Sequence, residues 1–362
     1  MQNTQLFECA LRTQPRYRLG DQILVSFEIR NTSEEPYRIL TWDIPLLDSP
    51  LNFLSVSHEG SELLYDGPMV RRVDPTEKEY ISLAPGESRS AEVDISRLYA
   101  IQLPGEYTVT LNTELADVYS LSGRSSLAPR VRRNHERYAL EHVSATLTVE
   151  AGDPPRMTLG QAARLESMTR LPGGPGQEPS AREPFMPWLI GGTPAQQADV
   201  RSAHAQAVFK VGKALDVINS GPGNWHYRRW FGVNAKYNLP FGGLTTYTVA
   251  AMGINSIRSI MNFPTFPVQT YVLSGGRDCD ESTLGYTYAG SHTVWLCGPF
   301  WGVPLSGIPD GKSGTLIHEW SHAVASTSDF FSGPEKCLQA AAANPAVAVV
   351  NACNYEYFCE FL

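Results

Sequence analysis

The chain has 362 residues, of which 42% are hydrophobic, 18% charged and 10% aromatic, a balance that excludes a globally disordered protein. No apolar run reaches the ~18 residues that a membrane-spanning helix requires, so we expect no membrane span. The formal charge of −8, from 29 basic and 37 acidic residues, argues against a nucleic-acid-binding surface. Residues 199–362 carry 10 basic and 11 acidic residues, so most of the negative charge lies before them. This asymmetry and the chain length predict two domains of different character.

Residues 1–151 show the alternation of apolar and polar side chains that is typical of β-strands. The apolar positions of 23–29 alternate with mostly polar neighbours and precede a turn-forming run of Asn, Thr and Ser. Further strands are predicted at 80–83, 107–111 and 145–149. Short strands separated by frequent turns predict an all-β domain of the Ig-like sandwich type. We find no catalytic constellation in it, and a sandwich of this kind suits a binding, chaperoning or inhibitory role.

Residues 152–195 are rich in Pro and Gly, which interrupt helices and strands, and are predicted to form an extended linker. Beyond the linker, small and apolar residues recur near helical spacing across 198–217, and a second helical stretch covers 244–261. Strands joined by a loop are predicted at 286–288 and 294–297. Residues 196–362 are therefore predicted to form an α+β domain that is mainly helical.

Five of the six cysteines lie in this second domain. Cys279 and Cys297 are 18 residues apart across the predicted strands and form the predicted disulfide. The others are expected either to pair or to stay buried as free thiols; they are Cys9, Cys337, Cys353 and Cys359. Disulfides indicate an oxidising compartment, so a secreted or periplasmic protein is expected. Met1 leads into polar residues without the apolar core of a signal peptide, which leaves the export route open.

The run Thr315-Leu-Ile-His-Glu-Trp-Ser-His322 carries the chemistry of the chain. His318 and His322 are four residues apart, so on a helix both imidazoles lie on one face and can bind one Zn²⁺. Glu319 then lies beside the metal, where it can take a proton from a water molecule. A catalytic zinc site needs a third protein ligand and an open position.

Three acidic residues after the motif are candidates for the third ligand. They are Asp329, Glu335 and Glu356. Asp329 requires the helix to end soon after His322 and the chain to turn back. The Ser-Thr-Ser run at 326–328 is a suitable terminator, because short hydroxyl side chains compete for backbone hydrogen bonds, and it favours Asp329.

Several separated segments resemble the deuterolysin-like (aspzincin) zinc endopeptidases, and the peptidyl-Lys metalloendopeptidases are the most similar branch. The segments are Gly314–His322, Thr327–Asp329, Leu296–Trp301, Asn351–Phe358 and Trp230–Gly232. The similarity runs over about residues 190–362. It implies a zincin-like metallopeptidase domain that binds one Zn²⁺ per chain through His318, His322 and Asp329, with Glu319 as the general base. A β-rich N-terminal region is also common among bacterial members.

The sequence departs from the family pattern at two positions of the site. Ser332 stands where the family has a tyrosine that donates to the developing oxyanion, and losing such a donor commonly costs roughly 10²- to 10³-fold in rate. The replacement donors that we consider are Tyr286, Tyr288, His292, Tyr355 and Tyr357. Cys353 stands where Lys-specific members have an Asp, three residues before Glu356. We therefore expect Glu356, Cys353, Tyr286 and Tyr288 to contact the substrate, with a preference for a basic residue after the scissile bond rather than strict Lys specificity.

The leading hypothesis is an exported zinc endopeptidase that acts on protein or peptide substrates. Its N-terminal domain is expected to be an accessory domain or an inhibitory prosegment, as in a zymogen. The alternative is a zinc-binding pseudoenzyme or toxin-like effector whose β-sandwich binds a partner.

Overall fold

The computed structural model describes residues 5–46, 52–111, 113–122, 128–169, 186–237, 243–262, 269–307 and 310–362. The chain divides into two compact units. The first contains Met1–Pro68 and Asp74–Ala162, and the second contains Met69–Val73 and Ala163–Leu362. Residues 170–185 of the predicted linker lie outside the described residues, whereas Leu159–Thr169 within it form a helix, and the prediction of an extended segment is wrong there. Among the described helices, none is long and apolar enough to cross a membrane.

The chain up to Glu150 is rich in strands. They are β1 (Phe7–Thr13), β2 (Arg16–Arg18), β3 (Leu24–Asn31), β4 (Tyr37–Leu40), β5 (Leu54–His58), β6 (Ser61–Glu62), β7 (Met69–Arg72), β8 (Tyr80–Leu83), β9 (Ser88–Asp94), β10 (Gly105–Leu111), β11 (Glu114–Leu115), β12 (Val118–Ser120), β13 (Tyr138–Ala139) and β14 (Ser144–Glu150). Short 3₁₀ helices lie at Glu77–Glu79, Ile95–Arg97 and Arg132–Asn134. The strands predicted from the alternating pattern are confirmed as β3, β8, β10 and β14.

The first unit holds four groups of paired strands in its described part, in the orders β1-β3-β9, β2-β14-β10-β5-β6, β12-β4-β8 and β11-β13. All pairs are antiparallel except β2 with β14. Alternate side chains of β3, Val25, Phe27 and Ile29, are fully buried, as the period of two requires. The Ig-like arrangement of these strands stays a prediction.

The rest of the chain is mainly helical. The helices are α1 (Leu159–Thr169), α2 (Pro194–Asn219), α3 (Trp225–Phe231), α4 (Thr246–Asn262), α5 (Lys312–Ala325), α6 (Pro334–Ala343), α7 (Pro345–Ala348) and α8 (Ala352–Glu360), with a 3₁₀ helix at Gly298–Gly302. The strands are β15 (Trp188–Ile190), β16 (Lys236–Tyr237), β17 (Leu244–Thr245), β18 (Thr270–Val272), β19 (Thr283–Thr287) and β20 (Thr293–Leu296). The predicted helices at 198–217 and 244–261 are confirmed as α2 and α4.

The second unit contains a five-stranded sheet of order β15-β18-β20-β19-β7. β15, β18 and β20 are parallel, whereas β19 is antiparallel to both of its neighbours. Its edge strand β7 comes from within the N-terminal part of the sequence, so this unit is not continuous along the chain. A disulfide joins Cys279, shortly before β19, to Cys297, directly after β20.

Helix α5 lies at the centre of the second unit, and every residue from Lys312 to Ala323 is buried. It packs against α2, α4, α8 and β19. Its apolar side chains Leu316, Ile317 and Trp320 belong to the main hydrophobic core of the unit, together with Trp230, Tyr271 and Phe358 among others. The polar residues of α5 are therefore enclosed by protein, and each must find a partner or a ligand.

Candidate active site

Helix α5 ends at Ser326, which adopts the left-handed conformation with φ of 53°. A left-handed residue closes a helix and reverses the direction of the chain. The chain then runs back beside α8: the Ser328 amide donates to the Val350 carbonyl at 2.8 Å, and Asn351 Oδ1 accepts from the amides of Phe330 and Phe331 at 2.9 and 3.0 Å. This reversal brings Asp329 back to the histidine face of α5.

Three side-chain groups converge at this point. His318 Nε2 lies 3.0 Å from His322 Nε2 and 3.0 Å from Asp329 Oδ1, and His322 Nε2 lies 3.1 Å from Asp329 Oδ2. The two imidazoles are buried, whereas the Asp329 side chain keeps 36% of its surface exposed. Two imidazole nitrogens and one carboxylate, open to solvent on one side, are groups of the kind that catalytic zinc sites use as ligands.

The other ring nitrogen of each histidine also has a partner. His322 Nδ1 lies 2.9 Å from the Thr327 carbonyl oxygen, and His318 Nδ1 lies 3.2 Å from Glu356 Oε2. Both oxygens accept a hydrogen bond from the Nδ1–H group. The proton of each ring is therefore on Nδ1, and the Nε2 lone pairs are directed at the point where His318, His322 and Asp329 converge. We assign the tautomers from these acceptors. Sequence reasoning missed the Thr327 carbonyl, because a backbone acceptor leaves no signal in residue types.

Electrostatics favour positive charge at the same point. Burial raises the pKa of Asp329, but His322 and His318 lower it more, and the net effect holds it well below its usual range. Burial lowers the pKa of His318, but Asp329 and Cys353 raise it more, so it lies well above its usual value. A divalent cation bound between the imidazoles and Asp329 would be stabilised by the same negative charge.

Glu319 is fully buried beside this cluster, and neither of its carboxylate oxygens has a hydrogen-bond partner among the described residues. Burial raises its pKa to about 8; the charges of His318 and Arg71 lower it, and those of Asp329 and Glu356 raise it. A buried carboxylate without partners is costly unless it serves a ligand. It therefore fits a site that holds a cation and a water molecule.

The Cys353 thiol also lies near the cluster, because ligand atoms of His318, Asp329 and Cys353 are all within 4.8 Å of one another. Its Sγ is 3.7 Å from Nδ1 of His318, whereas Asp329 and His322 approach Nε2. The two ring nitrogens point in different directions, so one ion cannot share both sets. The geometry favours His322 over Cys353 in the donor set. Cys353 is a buried free thiol, as are Cys9, Cys337 and Cys359.

The remaining predicted site residues are more scattered. Glu335 is exposed in the first turn of α6, and Ser332 is partly exposed after Asp329. The Tyr355 hydroxyl donates to the Val349 carbonyl at 2.9 Å, and its ring packs on Phe231 in the core. Tyr286 stacks on Trp295, the Tyr288 hydroxyl donates to Asp278 at 2.7 Å, and the His292 carbonyl accepts from the Thr270 amide. The hydroxyls of Tyr355 and Tyr288 therefore donate to Val349 and Asp278, and neither of these partners belongs to the zinc-type donor set.

Sequence reasoning missed Arg71, which contacts Glu356, and Asp310, which contacts the same guanidinium. Arg71 Nη2 lies 3.1 Å from each carboxylate oxygen of Glu356 and 3.0 Å from Asp310 Oδ1, and it lies 3.3 Å from the Tyr357 hydroxyl. Arg71 Nη1 lies 3.4 Å from Cys353 Sγ. Arg71 precedes Glu356 by 285 residues, so no local pattern could associate them.

Comparison with known proteins gives consistent matches. The sequence model of the family described as "Lysine-specific metallo-endopeptidase", the aspzincins, matches residues 219–360. An "Extracellular protease" of Aeromonas hydrophila is 28% identical over 347 residues, which cover 94% of this chain and 88% of that protein. A "Peptidyl-Lys metalloendopeptidase" of Pleurotus ostreatus is 33% identical over 182 residues, which cover 48% of this chain and 95% of that protein. A "Peptidyl-Lys metalloendopeptidase" of Armillaria mellea is 27% identical over 267 residues, which cover 72% of this chain and 68% of that protein. This chain therefore belongs to the aspzincin family of zinc metalloendopeptidases.

Proposed function

We propose that His318, His322 and Asp329 hold one zinc ion per chain and that Glu319 is the general base of an endopeptidase that favours a basic residue after the scissile bond. The observation that supports it most is the convergence of three donor groups within 3.1 Å beside a buried carboxylate without partners. The Cys279–Cys297 disulfide and the similarity to an extracellular protease of Aeromonas hydrophila support a secreted enzyme.

Zinc, when bound by the three donors, acts as a Lewis acid on the scissile carbonyl and lowers the pKa of a water molecule. The side chain of Glu319 projects beside the donors from the residue after His318. It accepts the proton of the attacking water and passes it to the leaving amine nitrogen. Burial raises the pKa of Glu319 to about 8, and the positive charge of a bound Zn²⁺ would favour the ionised form in which Glu319 accepts a proton.

Glu356 is proposed to have two roles. Its Oε2 orients His318 through Nδ1 at 3.2 Å, and its carboxylate attracts a basic side chain of the substrate. The second role is supported by the guanidinium of Arg71, which both of its oxygens already contact. We further propose that the N-terminal part of the chain restrains the peptidase until it is processed.

The first test replaces the general base. Glu319→Gln keeps the size of the side chain and removes its basicity, so we expect hydrolysis of an unfolded protein to fall about 10²- to 10⁴-fold while zinc stays at one ion per chain. Rates are measured before and after cleavage of the linker, with products mapped by mass spectrometry and zinc measured by elemental analysis. The mapped cuts should precede Lys or Arg.

Two variants serve as comparisons. Glu335→Gln changes an exposed carboxylate of α6 and should keep the wild-type rate. Asp329→Ala should lose zinc and activity together. Wild-type hydrolysis by Glu319→Gln would refute the assignment of the base, and full zinc retention by Asp329→Ala would refute the assignment of the ligand.

A further inference from the structure

Asn351 directly precedes helix α8 and is fully buried. It occupies the N-cap position, where an asparagine side chain commonly accepts a hydrogen bond from an amide of the first helical turn. Within the described part of the chain, its side chain makes no cap bond of this kind. The Asn354 amide donates instead to the main-chain carbonyl of Asn351 at 3.0 Å. The Asn351 side chain therefore serves another part of the structure.

That part is the segment directly after Asp329. Oδ1 of Asn351 accepts from the amides of Phe330 and Phe331 at 2.9 and 3.0 Å, and Nδ2 donates to the Phe331 carbonyl at 3.2 Å. Nδ2 also donates to Asn354 Oδ1 at 2.7 Å. The amide thus makes all four of its hydrogen bonds, and three of them hold the two residues that follow Asp329.

Asn354 fixes the orientation of this amide. Its own Nδ2 donates to the carbonyls of Trp230 and Cys337, so its Oδ1 is the atom that accepts from Asn351. We assign both amide orientations from these donors and acceptors. A reversed Asn351 would direct its NH₂ group at two backbone N–H groups, so only one orientation satisfies all the partners.

The residue before Asp329 is held by the main chain on either side of Asn351. The Ser328 amide donates to the Val350 carbonyl at 2.8 Å, and the Ser328 carbonyl accepts from the Ala352 amide at 3.0 Å. Asp329 therefore lies between two anchored points, the main-chain pair before it and the Asn351 amide after it.

Asp329 depends on such support more than the other two donors do. The histidines belong to helix α5 and their side chains have no exposed surface, whereas Asp329 follows the end of the helix and its side chain is 36% exposed. A ligand on an unsupported turn loses conformational freedom when it binds an ion, which lowers the affinity. Partners that orient a ligand through hydrogen bonds typically contribute about 10- to 100-fold to metal affinity or activity.

We propose that Asn351 is a positioning residue of the zinc site: without binding the ion itself, it fixes the turn at Phe330 and Phe331 so that the Asp329 carboxylate stays beside Nε2 of both histidines. This proposal rests on the proposed function for the identity of the zinc ligands. It adds the residue on which the third ligand depends, and it explains why an asparagine at a helix N-cap leaves the helix uncapped.

The test measures zinc affinity by competition with a fluorescent chelator, so that it does not depend on catalysis. The full-length parent, Asn351→Ala, Asp329→Ala and the double variant are compared where circular dichroism shows each to be folded. Asn351→Ala should raise the zinc Kd about 10- to 100-fold. The double variant should bind zinc within about twofold of Asp329→Ala alone, because Asn351 cannot position a ligand that is absent.

Asn31→Ala is the matched control. Asn31 is also a fully buried asparagine that holds a turn, and its Nδ2 donates to the carbonyls of Glu35 and Leu83 at 2.8 and 3.0 Å. It lies in the first unit, so its replacement should leave the zinc Kd unchanged.

A second variant covers the case in which Asn351→Ala does not fold. Asn351→Asp keeps oxygen acceptors for the two amides but loses the donor to the Phe331 carbonyl, so zinc binding should weaken by about threefold or more. The added negative charge would by itself tighten zinc binding, so weakening indicates lost positioning. Unchanged or tighter binding by Asn351→Asp would overturn the proposal.

The other outcomes separate the two proposals. Unchanged zinc affinity in Asp329→Ala refutes the assignment of the ligand, and with it the residue through which Asn351 acts. The positioning role alone fails if Asp329→Ala loses affinity while Asn351→Ala keeps it. It also fails if the double variant loses more than about twofold beyond Asp329→Ala, or if Asn31→Ala weakens zinc binding as much as Asn351→Ala does.

Discussion

At the residue scale, the buried histidine His204 connects α2 to the helix that carries the site. Its Nδ1 lies 3.0 Å from the Tyr271 hydroxyl, and its Nε2 lies 3.0 Å from the Met261 carbonyl. Trp320 of α5 donates to the same hydroxyl at 2.7 Å. The hydroxyl accepts from Trp320 and donates to Nδ1, so the network requires a neutral imidazole with its proton on Nε2.

This requirement makes the fold sensitive to acid. Burial lowers the pKa of His204 to about 4 from an ordinary 6.5, and the hydrogen bond to Met261 offsets only part of this effect. Below pH 6.5, His204 therefore binds a proton in the unfolded chain, whereas in the folded chain it stays neutral until about pH 4. The stability that the neutral His204 adds to the folded state is fully present above pH 6.5. It falls by about 3 kcal/mol as the pH decreases from 6.5 to about 4.

We expect His204→Gln to reduce the loss of unfolding free energy between pH 7 and pH 4, although it lowers stability at neutral pH. Urea denaturation at several pH values measures this difference. His142→Gln, at an exposed position of the first unit, is the matched control and should keep the wild-type slope. A wild-type pH slope in His204→Gln would contradict the assignment of a neutral buried imidazole.

The zinc-type donor set is the part of the site that residue spacing predicts best. His318, Glu319 and His322 share one turn of helix, so their relative positions follow from helical geometry alone. The hydroxyl-rich run before Asp329 favours it as the third ligand, and in the structure the left-handed Ser326 begins that run. The hydroxyl donors Tyr286, Tyr288 and Tyr355 could not be placed in this way, because their directions depend on packing partners that are distant in sequence.

At the scale of elements, helix α4 approaches α8 closely at Gly253. A Cβ atom there would lie 2.5 Å from the Tyr355 hydroxyl oxygen and 2.6 Å from Cε1, and that hydroxyl already donates to the Val349 carbonyl. The aromatic ring is enclosed in the core and cannot move aside easily. Glycine is thus required by the contact and not by its backbone conformation.

Gly253→Ala should therefore destabilise the protein by about 1–3 kcal/mol, although alanine is the better helix former. Gly212 in α2 is the matched control, because no heavy atom lies within 4 Å of its added Cβ. Gly212→Ala should stabilise by up to about 1 kcal/mol. Equilibrium denaturation of both variants gives the comparison, and a neutral or stabilising Gly253→Ala would show that α4 and α8 are less tightly fixed than the structure indicates.

At the scale of the whole molecule, the proposed zinc ligands all lie in the second unit, on α5 and the chain just after it. Ligand binding to the folded state alone adds stability, about 3 kcal/mol at 100 times Kd. Removing the ion should therefore lower the thermal stability of the second unit, where α5 is buried throughout.

Calorimetry with and without a chelator checks this expectation. The Tm of the transition that exposes the second unit should fall after chelation and return on addition of zinc. Magnesium, which prefers oxygen ligands, should not restore it. An unchanged Tm in a protein shown to have lost its zinc would contradict a zinc site within the core of that unit.

The strand-rich and helical halves could be predicted from residue order, because periods of two and 3.6 are local properties of the chain. Residue order also indicated the histidine pair, its glutamate and the family. The folded chain was needed to show that Met69–Val73 belongs to the second unit and that Arg71 contacts Glu356 and Asp310. The physical reason is the distance in sequence between the partners. Residues that pair between strands or form a buried ion pair hundreds of positions apart meet only in the folded chain, and their spacing in the sequence does not indicate the contact.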